Sequence, residues 1–137
     1  MLKVTFLGTG TSQGVPMIGC KCEVCTSTDP KDKRLRSAIW IRTENTSIVI
    51  DTGPDFRYQA LRAGIDRIDA VVYTHGHKDH VAGLDDIRAY NYWQQSAIDI
   101  YATNPTWEVL KREFQYVFAD FKYPGIPELK EHVITGD

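Results

Sequence analysis

A cluster of histidines directly follows an apolar stretch, and it limits the local fold more than any other feature of the chain. Three of the four histidines fall within six positions, in the segment Thr74-His75-Gly76-His77-Lys78-Asp79-His80. Residues 69–74 are dominated by alanine, valine and tyrosine and predict a buried strand. The cluster is therefore expected on a loop at the end of that strand, a common position for binding and catalytic residues.

The residue types in this segment point to metal binding. Alternate residues of an extended segment share a face, so His75 and His77 can present imidazoles to one ion. Asp79 and His80 lie further around the turn and can reach a second ion, with donors that suit zinc, manganese or iron. Two such ions can share a nucleophilic hydroxide, which Asp79 would help to orient. The alternative is a polar turn with scattered histidines, which the tight clustering disfavours.

The cysteines form a second candidate metal site. Cys20, Cys22 and Cys25 follow a C-x-C-x-x-C pattern, whose short spacing lets one loop wrap a tetrahedral zinc ion. They lie in residues 11–36, a long loop with glycines, prolines and many charges. A loop of this kind needs a cross-link to be ordered, which favours a structural role for the zinc. Three reduced cysteines without metal, or a disulfide, are the alternatives.

Four segments together resemble a known family. His75-x-His77-x-Asp79-His80 resembles the H-x-H-x-D-H signature of the metallo-β-lactamase superfamily. Residues 7–16 resemble the opening of its ribonuclease Z-like branch. Residues 19–25 resemble the group that contains the phosphoribosyl cyclic phosphate phosphodiesterase. Ile50-Asp51-Thr52-Gly53 is similar to the strand-end aspartate motif of the superfamily, and the resemblance extends from residue 2 to about residue 91.

The resemblance implies roles for individual residues. His75 and His77 would bind one catalytic metal, and Asp79 and His80 the other. Asp51 would steady the ligand loop, as carboxylates beside metal ligands do; its alternative is a turn aspartate. The three cysteines would hold a structural zinc, together with a histidine from near the C-terminus.

The pattern of elements predicts an α/β fold. Five or six strands alternate with about three helices, as in layered α/β domains. The resemblance implies an αββα sandwich, of which residues 1–137 would form the N-terminal half. The predicted elements are a strand over 4–7, a hairpin over 38–50, helices over 55–63 and 84–93, strands over 69–74 and 98–102, a helix from Thr103, and a charged tail after Pro124. The first helix would present an apolar face and end at Gly64; that face comprises Phe56, Ala60, Leu61 and Ala63. The helix from Thr103 would bury residues that repeat at helical spacing, namely Trp107, Leu110, Phe114 and Val117.

The family pattern also has ligands downstream of the signature: another histidine, a bridging aspartate and a last histidine. After His80 the only histidine is His132, whose charged surroundings predict an exposed side chain. Neither Asp120 nor Asp137 stands in a matching context. We therefore expect a portion of a longer protein, poorly active alone, whose uncovered sheet face favours a homodimer.

The net charge and the absence of a long apolar stretch from the sequence narrow the range of expected functions. The net charge of -2 provides no basic field for nucleic acid, and we interpret Lys31, Lys33, Arg34 and Arg36 as a solvated loop. We predict a cytoplasmic hydrolase with no membrane partner, carrying two catalytic zinc or manganese ions and one structural zinc. Its expected substrate is a small cyclic phosphate or nucleotide-like phosphodiester. A ribonuclease Z-like endonuclease and a non-catalytic zinc-binding module are the alternatives.

Overall fold

A mixed six-stranded sheet organises the chain, in a computed structural model that describes residues 1–136. Asp137, considered above as a bridging ligand, lies outside the described residues. The spatial order of the strands follows the chain order. The strands are β1 (Lys3–Gly8), β2 (Ala38–Arg42), β3 (Ser47–Ile50), β4 (Ala70–Val72), β5 (Ile98–Ala102) and β6 (Leu129–Val133).

Strand direction places several loops at one edge of this sheet. β1 pairs antiparallel with β2 and β2 with β3, whereas β3 to β6 pair in parallel. β1 therefore runs in the same direction as β3 to β6. The carboxyl ends of these five strands meet at one edge, called here the carboxyl edge, where open α/β sheets bind their ligands.

Helices cover one face of the sheet. They are α2 (Phe56–Ala63), α3 (Lys78–Val81), α4 (Arg88–Gln94), α5 (Asn104–Glu113) and α6 (Gln115–Phe118), with a 3₁₀ turn at Leu84–Ile87. Helix α1 (Glu23–Thr26) and a 3₁₀ turn at Pro30–Asp32 lie in the long loop after β1 and bury no residue. In the part of the chain that the structure describes, no helix is long and apolar enough to cross a membrane.

The core lies between the helices and this covered face. Alternate strand residues point into it, among them Leu7, Trp40, Val49, Val71 and Ile100, each at most 4% exposed. Phe56, Leu84, Ile87, Trp107 and Leu110 meet them from the helical side. Burying one such side chain contributes about 1.5–3 kcal/mol, so this face accounts for much of the stability of the fold.

The other face of the sheet, called here the open face, is apolar and uncovered among the described residues. Phe6, Ile39, Ile50, Val72 and Tyr101 lie side by side across the strands. Phe6 is 67% exposed and the three aliphatic residues of the row are half-buried. The row has the apolar character predicted for an uncovered face.

Several local predictions are confirmed. Gly64 ends α2 with φ 67° in the left-handed region that glycine favours. Thr103 and Pro105 begin α5, whose Trp107 and Leu110 are buried as the helical spacing predicts. Leu61, predicted to face the core from α2, is instead 64% exposed, because α2 packs through Phe56 and Ala60.

The prediction of a charged tail after Pro124 is wrong, because residues 129–133 form the strand β6. Its polar side chains suit a strand at the sheet edge, where charge prevents further pairing. The prediction of an exposed His132 is also wrong. His132 is half-buried, its Nε2 lies 2.5 Å from Asp99 Oδ1, and its ring stacks on Tyr101 with centroids 4.5 Å apart.

Candidate metal centres

The loop after β4 brings the three clustered histidines together at the carboxyl edge. His75 and His77 lie in the extended segment before α3, with ring centroids 4.6 Å apart. His77 caps α3, where the His80 amide donates to the His77 carbonyl at 2.9 Å. This turn places the His80 ring 4.1 Å from that of His75.

Asp51 connects the ends of β3 and β4. The residue is 4% exposed, and its carboxylate accepts from the Thr74 amide at 2.8 Å and the Thr74 hydroxyl at 2.7 Å. The same carboxylate lies 2.7 Å from His80 Nδ1. A proton on Nδ1 satisfies this contact and leaves Nε2 free as a metal ligand, the usual arrangement of metal-binding histidines.

The backbone of Asp51 is in an uncommon conformation. Its φ is 63°, in the left-handed region that costs a non-glycine residue about 1–3 kcal/mol. Such strain persists where surrounding contacts over-determine it, and the three bonds of the Asp51 carboxylate do so here. The Asp51 turn is thus tied both to Thr74 and to His80.

Asp79 completes the motif. Its Oδ2 lies 3.1 Å from His80 Nε2, and both side chains are largely buried. The two candidate ligand atoms thus adjoin each other, as binding to a shared ion requires. The side chains of all four residues predicted as ligands therefore lie close together.

The donor set fits divalent metal ions in two pairs, His75 with His77 and Asp79 with His80. Within residues 1–136, the cysteines alone place three ligand atoms within 4.8 Å of one another. Catalytic zinc sites have three protein ligands, so each pair calls for at least one further ligand. Asp120 is exposed and does not join either pair.

Two glycines let the ligand loops pack closely: Gly53, which belongs to the strand-end aspartate motif, and Gly83, which no sequence motif marks. A Cβ on Gly53 would lie 2.0 Å from the Asp79 carbonyl oxygen, and one on Gly83 would lie 2.2 Å from the Gly53 carbonyl oxygen. The Thr52 amide also donates to the His80 carbonyl at 2.9 Å. The Asp51-Thr52-Gly53 turn is therefore clamped on α3, and the glycine of this motif is the signal for the contact.

A buried pair supports the same turn. Thr52 Oγ1 and the Tyr73 hydroxyl lie 2.6 Å apart. Burial raises the pKa of Tyr73 well above its ordinary value, so the phenol stays neutral and can donate. The pair ties the residue after Asp51 to the residue before Thr74.

Helix α5 contacts the histidine loop from the other side. A Cβ on Gly76 would lie 2.8 Å from the Val109 side chain. Lys78 donates to the Glu113 carboxylate and, with a smaller contribution from Arg112, holds the pKa of Glu113 below its ordinary value. These contacts join residues 33 to 35 positions apart in sequence, and no local pattern predicts them.

The cysteine cluster is a separate centre. The Sγ atoms of Cys20, Cys22 and Cys25 all lie within 4.8 Å of one another, and no disulfide joins them. The Cys25 amide donates to Cys22 Sγ at 3.5 Å, the main reason why the pKa of Cys22 falls to about 7. The pKa of Cys25 is raised, with its cysteine neighbours contributing. His132 is not in this group.

A family model described as a beta-lactamase superfamily domain matches residues 46–136. The chain belongs to the metallo-β-lactamase superfamily. The α/β architecture agrees with this fold, so the predicted family and fold class are confirmed.

Two curated relatives illustrate the similarity. A protein of Porphyromonas gingivalis named octanoyltransferase is 47% identical over 130 residues, which are 94% of this chain and 26% of the relative. A coenzyme PQQ synthesis protein B of Methylobacterium radiotolerans is 32% identical over 101 residues, 64% of this chain and 34% of the relative. The chain thus spans a quarter to a third of these relatives.

Solved structures agree. A diphosphatase from the PhnP family is 45% identical, with a TM-score of 0.87 over 98% of this chain and 51% of its own. Zinc-bound PqqB from Methylobacterium extorquens is 24% identical, with a TM-score of 0.70 over 98% of this chain and 46% of its own. Human tRNase Z, short form, is also 24% identical, with a TM-score of 0.62 over 97% of this chain and 45% of its own. The last two show the fold alone, and the chain spans about half of each structure.

Proposed function

We propose that this chain contributes ligands and positioning residues to a metal-dependent hydrolase that cleaves a phosphodiester or diphosphate bond in a small molecule. The observation that carries the proposal is the contact chain Asp51–His80–Asp79, with the rings of His75 and His77 beside it. A buried carboxylate that fixes one imidazole nitrogen and leaves the other free is characteristic of metal centres.

The residues of this chain would have distinct roles in metal binding and catalysis. His75 and His77 would hold one divalent ion, and Asp79 and His80 the second, zinc or manganese in each case. Bound there, the ions would supply a hydroxide at neutral pH and offset the charge on the phosphate. Asp79 would accept a hydrogen bond from the attacking water, and Asp51 would keep the proton of His80 on Nδ1.

Two observations support a small phosphorylated substrate, such as a cyclic phosphate or a nucleotide-like compound. The protein of known structure that shares 45% sequence identity with this chain is a diphosphatase. The net charge of -2 gives little attraction for long nucleic acid. We also propose one structural zinc at the cysteines; free thiols that bind metal suit the reducing cytoplasm.

The full protein that the gene for this chain encodes, whatever its length, should be assayed with three substrates: bis(p-nitrophenyl) phosphate, a small cyclic phosphate and a dinucleoside diphosphate. We expect hydrolysis of at least one, loss with a chelator, and recovery with zinc or manganese. Asp79→Ala should lower kcat by several orders of magnitude, whereas Asp69→Ala, at the opposite sheet edge, should not. Activity that survives Asp79→Ala would refute the proposal.

The 137-residue chain should be measured beside it, and we expect little activity there because each ligand pair needs a further donor. Cleavage of precursor transfer RNA with none of the small esters would replace the proposal by a ribonuclease function. Zinc at the cysteines, with no metal at the histidines and no hydrolysis, would replace it by a zinc-binding module.

A further inference from the structure

We infer that a pocket beside the carboxyl end of β1 binds a phosphate group, at a site separate from the histidine centre. The pocket has a volume of about 180 Å³. Its lining brings together Lys31, Lys33 and Arg34 of the long loop with Arg62 of α2. The sequence alone suggested a solvated loop for the first three, because it gave no sign that Arg62 joins them.

The charge of the lining is not neutralised by protein. No carboxylate lines the pocket. In residues 1–136, the lysines and arginines with carboxylate partners are others: Arg36, Arg67, Lys78, Arg88, Lys111, Arg112 and Lys130. Asp29 and Asp32 occur in the same loop, but Asp29 caps a 3₁₀ turn through the Lys31 amide and neither lines the pocket. The four basic side chains share the lining of one small cavity, so an anion bound there is attracted by more than one of them.

Three of these cations are already held in place by backbone carbonyls. Arg62 donates to the Leu7 carbonyl, Arg34 Nε to the Lys31 carbonyl at 3.2 Å, and Lys33 Nζ to the Ser27 carbonyl at 2.6 Å. A guanidinium has five N–H donors and an ammonium three, so each retains donors for a ligand. Neutral acceptors orient these groups without cancelling their charge.

The loop backbone is also fixed. Arg34 and Val15 exchange two backbone hydrogen bonds of 2.8 Å, and the Gly10 amide donates to the Leu35 carbonyl at 2.8 Å. The backbone that carries the loop cations is therefore already ordered before a ligand binds. This reduces the entropic cost of binding.

The chemistry favours a phosphate group. Guanidinium and ammonium groups form charge-assisted bonds with phosphate oxygens, and arginine does so in bidentate fashion. β1 ends at the carboxyl edge, as β3 does, and two strand spacings separate their ends by ~10 Å. Two ligands supply such a phosphate group. One is the substrate, through a second phosphate that is distant from the cleaved bond, and the other is free inorganic phosphate.

Inorganic phosphate binding should be measured by calorimetry on the chain that carries Asp79→Ala, which weakens the histidine centre. This background makes the result independent of the proposed hydrolysis. We expect Lys33→Ala with Arg34→Ala to weaken binding about tenfold or more, the loss of one charge-assisted contact or more. Arg57→Ala with Lys122→Ala removes the same charge from exposed positions without ion-pair partners and should change binding less than about twofold. Circular dichroism verifies that each variant is folded.

Equal weakening by both double variants, or no binding of phosphate to the parent chain, would overturn the inference. The source is distinguished by kinetics of the gene product. A raised KM with unchanged kcat in the pocket variant identifies a substrate phosphate. An unchanged KM, with calorimetric binding lost, identifies free phosphate.

Discussion

At the scale of single residues, the metal motif was predictable because its ligands are consecutive in sequence. Four ligands within six positions need only one turn, the start of α3, to meet. Asp51 was predictable only from the family resemblance, since its 2.7 Å contact with His80 spans 29 residues. The ion pair of Lys78 with Glu113 has no such signal, because either residue alone is an ordinary helix-surface charge.

Asp51→Asn should separate the charge of Asp51 from its shape. Asparagine tolerates the left-handed conformation, so the φ of 63° is retained. Without the carboxylate, His80 Nδ1 loses a charged acceptor, and we expect metal affinity at the histidine centre to fall about 10–100-fold. The measurement is a competition titration with a chromophoric chelator on a chain whose cysteines are replaced by serine. Asp69→Asn is the control, and equal affinities in the two variants would contradict the role of Asp51.

The cysteines should differ in reactivity when metal is removed. The pKa of Cys22 is about 7 and that of Cys25 is raised, so more Cys22 than Cys25 is thiolate at neutral pH. Since the thiolate is the nucleophile, iodoacetamide should label Cys22 before Cys25, with a rate at Cys22 that rises through pH 7. Peptide mass spectrometry measures the order. Zinc should protect all three; labelling that ignores zinc would contradict the structural site.

At the scale of elements, the apolar strands and the capped helix were predictable, but β6 was not. β2 to β5 carry the β-branched and aromatic residues typical of strands, whereas β6 reads Leu-Lys-Glu-His-Val. Its conformation depends on pairing with β5, which is a tertiary effect that overrides local propensity. Leu61 was misassigned for a related reason, since periodicity does not reveal how far a helix face is covered.

Gly53→Ala should test whether the Asp51 turn and α3 are clamped. The added Cβ would lie 2.0 Å from the Asp79 carbonyl oxygen, so one of the two loops has to move. We expect a free energy of unfolding lower by about 1–3 kcal/mol, the usual range for overpacking, together with weaker metal binding at the histidines. Urea denaturation measures the first effect. Gly136→Ala, where a Cβ meets nothing within 4 Å, is the matched control, and equal stability of the two variants would refute the clamp.

At the scale of the whole molecule, the sheet has one covered face and one apolar open face. A depression of about 420 Å³ on the open face is lined by Ile48, Val72 and Tyr101 together with Asp69 and Asp99. A second apolar groove, of about 620 Å³, lies between α2 and α4 and includes Leu61. Charged residues line both surfaces: Arg57, Asp66 and Asp86 line the groove. On the open face, however, the apolar row from Phe6 to Tyr101 is continuous across five strands. Contiguous apolar surface is the better site for association.

We therefore predict that the 137-residue chain forms a homodimer through the open face. Sedimentation should show a monomer–dimer equilibrium whose dissociation constant rises strongly in Ile48→Lys, because a charge buried in an apolar contact has to lose its water. Leu61→Lys adds the same charge on the helical side and should leave the equilibrium unchanged. Dissociation by Leu61→Lys with no effect of Ile48→Lys would assign the contact to the groove between α2 and α4. A monomer at every concentration would contradict the prediction, because the open face would then bind no second copy.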